Sequence, residues 1–353
     1  MLVTDPDSFA RPTRWMLLAL GLAAISLVLP GRGEPREAPA PQGRRVRVGL
    51  VFDVGGRGDK SFNDGAYEGL VRVRRELGAE VEYVEPSDAD DRASALRLFA
   101  ARGFDRVIAV GYIFSRNVDE VARDHPRTRF ACIDYAPPMQ GAVPPNVTGV
   151  IFREEEGSFL VGAAAGRFSR SGAVGFVGGM DIPLIRRFEA GYRAGVRTTC
   201  PTCRVVAAYA GSTPSAFKDP EKGAQLATAQ YASGVDVIFH ASGTTGHGVF
   251  VAAQRFRRWA IGVDADQHDE MPGVVLTSMI KRVDNAVFDI AQGAADPSRD
   301  HPGGALRVLG IAEGGIDWVH EGPHAAALPR TLVDEVQALR LRVVSGAVRV
   351  PRE

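Results

Sequence analysis

From Val46 onward, short apolar runs alternate with segments whose apolar positions recur at helical spacing. The runs "VRVGLVFD", "AEVEYVEP", "DRVIAVGY" and "RFACIDYA" predict strands, and "FNDGAYEGLVRVRREL", "DRASALRLFAARG" and "SRNVDEVARDHP" between them predict helices. The alternation then restarts with "GAVGFVGG", "CRVVAAYAG", "GVDVIFHAS" and "WAIGVDAD", separated by "LIRRFEAGYRAGVRTT", "PEKGAQLATAQYASG" and "GHGVFVAAQRFR". Strands that alternate with helices pair in parallel and carry helices on both faces, so the pattern predicts two doubly wound α/β lobes. After about Val274 come a helix-like "SMIKRVDNAVFDIAQGA", a strand-like "ALRVLGIAEGGIDWV" and a final helix "RTLVDEVQALRLRVVSG". These are too few for a third domain and are expected to return to both lobes, forming a hinge of several crossovers. The expected first lobe is 46–153 plus 271–304, and the second is 154–270 plus 305–353.

The first residues follow a different pattern. Arg11 and Arg14 precede an uncharged run from Trp15 to Gly31, which fits a signal peptide or a short N-terminal membrane anchor over 1–31. No cysteine near its end offers lipid attachment, so either free export or tethering through an uncleaved helix is expected. The segment 32–45, rich in proline and charge, reads as a linker. The length of 353 residues agrees with two lobes rather than one core. Lys+Arg and Asp+Glu both total 42, so no overall basic field attracts nucleic acid.

The three cysteines are Cys132, Cys200 and Cys203. In an exported chain "CPTC" reads as a local disulfide rather than a redox centre, and Cys132 in "FACIDY" as a buried thiol. No histidine lies beside "CPTC", so no metal site is expected; His320 and His324 flank Gly322 and Pro323 and read as loop residues.

Ligands of open parallel sheets bind beyond the carboxyl ends of the strands. Asp53, Gly111, Tyr112, Asp134, Gly178, Gly179, Ser242, Gly243 and Asp264 all fall at such ends. An Asp there is often only a helix N-cap, but the set together predicts a cleft between the lobes. The opening turn, "DVGGRGDKSFNDGAYEGL", is longer and more acidic than a plain connection needs and reads as half of a ligand clamp. Asp59 and Lys60 within it read as solvated turn residues, while Phe62, set between Ser61 and Asn63, reads as exposed to a ligand. Phe188 has helical spacing that suits either core or cleft.

Chemistry-bearing motifs are missing. "GGRGDKSF" lacks the G-x-G-x-x-G register, there is no G-x-x-x-x-G-K-[ST] loop, "SGTTG" is not a nucleophile elbow, and H-E-x-x-H does not occur. Paired acids could serve a glycosidase, but nothing in the spacing specifies the separation such an enzyme requires.

Several segments carry a resemblance: "GLVFDVGGRGDKSFNDGAYEGL", "FACIDY", "NVTGVIFREEEGSFLVGAAAG", "VGFVGGMDIPLIRRFEAGYRAG", "DVIFHASGTTGHGVFVAAQ", "IGVDADQ" and "VLTSMIKRVDNAV". They run from about Val46 to Asn285, and the closing "VSGAVRVP" fits as a last helix and strand. The chain resembles the basic membrane protein family of ABC transporter substrate-binding components, in its purine nucleoside receptor branch. The resemblance implies a periplasmic-binding-protein type I fold, no enzyme activity and no cofactor. It further implies a monomer, exported to the extracytoplasmic face, that closes on one nucleoside and delivers it to a permease.

By position in the motifs, Asp53, Phe62, Asn63 and Asp134 are implied as first-lobe contacts. Phe188, Gly243 and Asp264 would face them, with Lys281 entering from the returning segment. Two aromatic rings could sandwich a base, carboxylates could accept from ribose hydroxyls and ring N–H groups, and Lys281 would balance an Asp or bind a sugar oxygen. An insertion, "TPSA", precedes "FKDP" where the family has an aromatic followed by an acid, so Phe217 either replaces that aromatic or the loop reshapes the pocket. A membrane-tethered sensor of the same fold and a nucleoside hydrolase are the rival readings.

Overall fold

The computed structural model describes residues 45–86 and 89–353, and Arg44–Glu353 form one compact unit. The expected leader over 1–31 and nearly all of the linker lie outside the described residues.

The first six-stranded sheet contains β1 (Arg47–Val51), β2 (Glu80–Val84), β3 (Arg106–Val110), β4 (Arg129–Ile133), β5 (Val147–Phe152) and β11 (Ala305–Leu309). Its order is β11-β5-β4-β3-β1-β2, with every pairing parallel. The second contains β6 (Ala173–Met180), β7 (Arg204–Gly211), β8 (Val237–Ala241), β9 (Trp259–Asp264), β10 (Val275–Lys281) and β12 (Ile316–Trp318). Its order is β12-β10-β9-β8-β6-β7, and only β12 runs antiparallel. The two orders match strand for strand, so β1 corresponds to β6, β3 to β8, and β4 to β9. The predicted pair of doubly wound lobes is what the sheets form.

Near-continuous apolar strands such as "RVIAV" and "VIFHA" are buried at every position, as a sheet covered on both faces requires. The covering helices are α1 (Phe62–Leu77), α2 (Ala89–Ala101), α3 (Ser115–Asp124), α4 (Glu154–Phe168), α5 (Pro183–Thr199), α6 (Pro220–Ala232), α7 (Thr245–Phe256), α8 (Val283–Ala295) and α9 (Arg330–Val344). The pair α4 and α5 approach closely because Gly191 and Gly195 face the backbone of Glu155 and Phe159, where a Cβ would overlap carbonyl oxygens. This contact fixes Glu154 and Phe188 relative to one another. No helix among the described residues is long and apolar enough to cross a membrane.

The chain passes between the lobes at 152–154, 281–283 and 309–316. Strand membership corrects the expected boundaries. Residues 275–281 were assigned to the first lobe, yet β10 pairs with β9 in the second sheet, and 305–309, assigned to the second lobe, pairs with β5 in the first. An apolar run shows that a strand is buried but not which neighbour it joins: β10 lies between β9 and β12, and β11 takes the edge beside β5. The helix α8 then packs on α1 in the first lobe, and α9 on α4 in the second.

The single strand-like stretch expected at 305–319 is two strands in different sheets, broken by a turn in which Gly310 N–H donates to Glu313 Oε2 at 2.8 Å. The closing segment forms no strand: Val348 and Val350 pack against the core, and Val348 N–H donates to Arg342 O. Cys200 and Cys203 are disulfide-bonded, and Cys132 is free and buried.

Candidate ligand-binding cleft

The carboxyl ends of the two sheets face one another across a cavity of about 690 Å³, open mouth included. All eight residues singled out in the sequence, Asp53, Phe62, Asn63, Asp134, Phe188, Gly243, Asp264 and Lys281, line it.

The opening turn is organised by Asp59. Its carboxylate accepts from Ser61 N at 3.0 Å, Asn63 N at 2.9 Å, Asp64 N at 3.1 Å and Asn63 Nδ2 at 3.0 Å. It therefore caps α1 and orients the Asn63 amide, whose Oδ1 accepts in turn from Asp53 N at 3.1 Å. Asp59 is only 7% exposed and lines the cleft, which corrects its reading as a solvated turn residue. Asp64 gathers the rest of the loop, accepting from Gly58 N and Lys60 N. The acidic and glycine-rich mixture thus builds a rigid loop from side-chain acceptors and backbone donors.

Asp53 accepts from Val54 N at 2.6 Å. Desolvation raises its pKa to about 7, with a further push from Asp134, against the opposing Val54 N–H. Gly111, at φ 112°, passes so near Asp53 Oδ2 that any Cβ would overlap the carboxylate. Only glycine serves there, for both space and backbone.

Asp134 and Asp264 occupy corresponding positions at the ends of β4 and β9, and both are left-handed, at φ 59° and 66°. Non-glycine residues adopt that region infrequently and at a conformational cost, and such strain concentrates at functional sites. The left-handed turn lets the chain leave the strand while the carboxylate stays in the cleft.

Lys281 stands between them. Its Nζ lies 2.6 Å from Asp134 Oδ2 and 3.3 Å from Glu154 Oε1, with all three side chains at most 6% exposed. It also lies 4.9 Å from the Phe152 ring centroid, 5.1 Å from that of Phe62 and 5.7 Å from that of Phe188. Burial opposes its charge, but Asp134, Glu154 and Asp264 outweigh it and its pKa is raised. Burial likewise pushes Glu154 up to about 7 and Asp264 to about 6, each held back by Lys281. Lys281 thus balances an Asp, and Asp134 Oδ1 remains buried with no hydrogen-bond partner in the protein.

Behind Ser242 sits His240, fully buried, with its pKa lowered to about 4 by desolvation and therefore neutral. Gln267 Oε1 accepts from Val263 N at 2.8 Å and lies 3.1 Å from His240 Nε2. That assigns the imidazole proton to Nε2 and leaves Nδ1 to accept from Ser242 Oγ at 3.3 Å. The hydroxyl of a cleft residue is thereby oriented from below.

Sequence reasoning passed over the apolar walls from Ile182, Leu184 and Ile185, and left Phe217 open. Phe217 does line the cleft, on a short 3-10 turn, Pro214–Phe217, made by the insertion. A Cβ on Gly179 would strike its ring, so the glycine at that strand end was the legible signal. Phe188 is 3% exposed, serving the core and the cleft floor together.

The family model described as "ABC transporter substrate-binding protein PnrA-like" matches residues 46–352. The chain belongs to this family. It is 35% identical over 327 residues to a CD4+ T-cell-stimulating antigen of Listeria monocytogenes, covering 87% of this chain and 88% of that one. It is 28% identical to the ABC transporter nucleoside-binding protein BmpA of Lactococcus lactis, over 94% of this chain and 97% of the relative. Among solved structures, an ABC transporter solute-binding protein from Aeropyrum pernix superposes with a TM-score of 0.75 at 29% identity, covering 87% of this chain and 94% of that one. The two-lobed arrangement is the periplasmic-binding-protein type I fold. The chain is an ABC transporter substrate-binding protein and not an enzyme.

Proposed function

We propose that the cleft binds a nucleoside with a purine base and that the protein delivers it to an ABC permease. The observation that carries this reading is the balance of groups on the cleft wall. Four carboxylates, Asp53, Asp59, Asp134 and Asp264, face one cation, Lys281, which Asp134 and Glu154 already neutralise. Such a wall favours an uncharged molecule rich in hydroxyl and N–H donors and repels phosphate. Phe62 from the first lobe and Phe217 and Phe188 from the second supply flat apolar surface for a base. The printed name of the Lactococcus lactis relative supports the same ligand class.

Asp53, Phe62, Asn63, Asp134, Phe188, Gly243, Asp264 and Lys281 are the proposed contacts. Contacts from both lobes exist together only in the closed state, so ligand shifts the population toward closure. An extracytoplasmic monomer is the proposed working form; the pattern of Trp15 to Gly31 and the disulfide, which persists in oxidising compartments, support export.

The test is incubation of purified protein with inosine, guanosine, adenosine and inosine monophosphate. A saturable rise in melting temperature with the nucleosides recovered intact supports the reading. Equal or stronger binding of the monophosphate, or release of free base, overturns it.

A further inference from the structure

Ser61 occupies the N-cap of α1, where a serine hydroxyl ordinarily accepts from the first free amides of the helix. Here it makes no such bond, because Asp59 accepts from Asn63 N and Asp64 N in its place. The released hydroxyl reaches across the cleft and donates to Asp264 Oδ2 at 2.6 Å, with Val263 O at 3.3 Å. Ser61 is 1% exposed, so this bond is shielded from water. One further bond crosses nearby: Gln267 Nε2 donates to Lys60 O at 3.2 Å. Ser61 and Lys60 belong to the first lobe, Asp264 and Gln267 to the second.

We propose that Ser61 is a positioning residue that completes the ligand site at closure by orienting the Asp264 carboxylate from the opposite lobe. Asp264 ends its strand in a left-handed turn, and its carboxylate is held by a group its own lobe does not contain. Opening the cleft removes that hold. Closing it occupies Oδ2 and aims the remaining oxygen at the ligand, so recognition and closure become one event. The inference rests on the reading of the cleft as a nucleoside site, and its test separates the two.

Ser61→Ala retains the backbone N–H that Asp59 accepts, so the loop keeps its own hydrogen bonds. The variant is expected to bind inosine about tenfold more weakly, mainly through faster dissociation. The pH dependence supplies a readout that a merely structural role would not move. The groups that face Asp264 are Lys281 from β10, Asp134 beyond β4, Asp59 from the opening turn, and Ser61 itself. The Ser61 hydroxyl favours the ionised carboxylate, so its loss is expected to move the rise in binding with pH upward from near 6.

Closure is also read without ligand. Leu98 on α2 and Val251 on α7 are exposed and lie on different lobes, while the native thiols are buried or bonded. Spin labels at Leu98→Cys and Val251→Cys are expected to report a longer, broader distance distribution in Ser61→Ala than in its parent. If the parent binds no nucleoside, the proposed function fails and the label distances alone decide the role of Ser61. Affinity within twofold of the parent with an unmoved pH profile, or an unchanged distance distribution, overturns the proposal.

Discussion

Replacing Asp53 by Asn tests whether the acidic cleft is held against the interest of the fold. In the folded state the Asp53 pKa is about 7 against an ordinary value of 3.8, because the cleft wall desolvates the carboxylate and Asp134 repels it. A raised folded pKa means that the native state holds the proton more tightly than the unfolded chain. Between pH 4 and pH 7 the folded state therefore binds more protons, and stability falls as pH rises through this window. Above pH 7 the penalty is complete.

A shift of that size corresponds to roughly 4 kcal/mol at 1.36 kcal/mol per unit, which solvent screening in the part-exposed cleft reduces to about 2 kcal/mol. Asn keeps the acceptor for Val54 N–H and carries no charge. Asp53→Asn is thus expected to unfold slightly above the parent at pH 5, where about a third of the penalty has developed, and about 4 to 8 °C higher at pH 8. Its nucleoside affinity is expected to fall tenfold or more, since a charge-assisted hydrogen bond is lost. Calorimetric melting at both pH values, followed by titration with inosine, reads both effects. A variant destabilised equally at pH 5 and pH 8 would refute the argument, because it would show the carboxylate to be a structural acceptor and not a desolvated charge.

Lys281→Met leaves Asp134 and Glu154 buried without their cation and is expected to cost about 3 to 5 kcal/mol in urea unfolding and to abolish binding. A loss under 1 kcal/mol would contradict the buried pairing. Phe62→Ala and Phe217→Ala are each expected to weaken purine nucleoside binding by about 1 to 3 kcal/mol with an unchanged circular dichroism spectrum; equal affinity in both would remove the stacking role. Gly111→Ala places a Cβ against Asp53 Oδ2 at a positive φ, so both stability and affinity are expected to drop, measured by the same melting and titration.

The lobes were legible because most strands carry an apolar run of their own, and because strand ends in a parallel sheet are where ligands sit. That geometry alone drew Asp53, Asp134, Gly243 and Asp264 together, and resemblance added Phe62, Asn63, Phe188 and Lys281. What stayed hidden depends on contacts between distant residues. Asp59 sits in a run of charged and glycine residues that looks solvated, yet it is buried and bonded to the amides of Ser61, Asn63 and Asp64. The role of the Ser61 hydroxyl is hidden as well, because nothing local reveals that Asp59 caps the helix in its place. The exchange of β10 and β11 between lobes was equally invisible, since pairing partners are a property of the whole sheet and not of the strand.

The matching positions of Asp134 and Asp264 explain how one cleft can be both acidic and closed. Like charges on two approaching surfaces oppose closure, and burial makes that opposition stronger. The structure answers the two carboxylates differently. Asp134 is paired at 2.6 Å with Lys281, which sits where the chain crosses between lobes, so this charge is neutralised at the hinge. Asp264 receives the Ser61 hydroxyl across the cleft, so part of its stabilisation arrives only when the lobes meet. Asp134 lines the cleft and its Oδ1 has no hydrogen-bond partner in the protein, so under the proposed function a donor on a neutral ligand would supply the missing bond. On that reading closure with ligand pairs this acceptor, whereas closure without it leaves the acceptor buried and unpaired, at a cost of about 1 to 3 kcal/mol. That difference is of the size needed to shift a two-state hinge by a factor of ten or more, and it operates only for a molecule that brings donors and no negative charge.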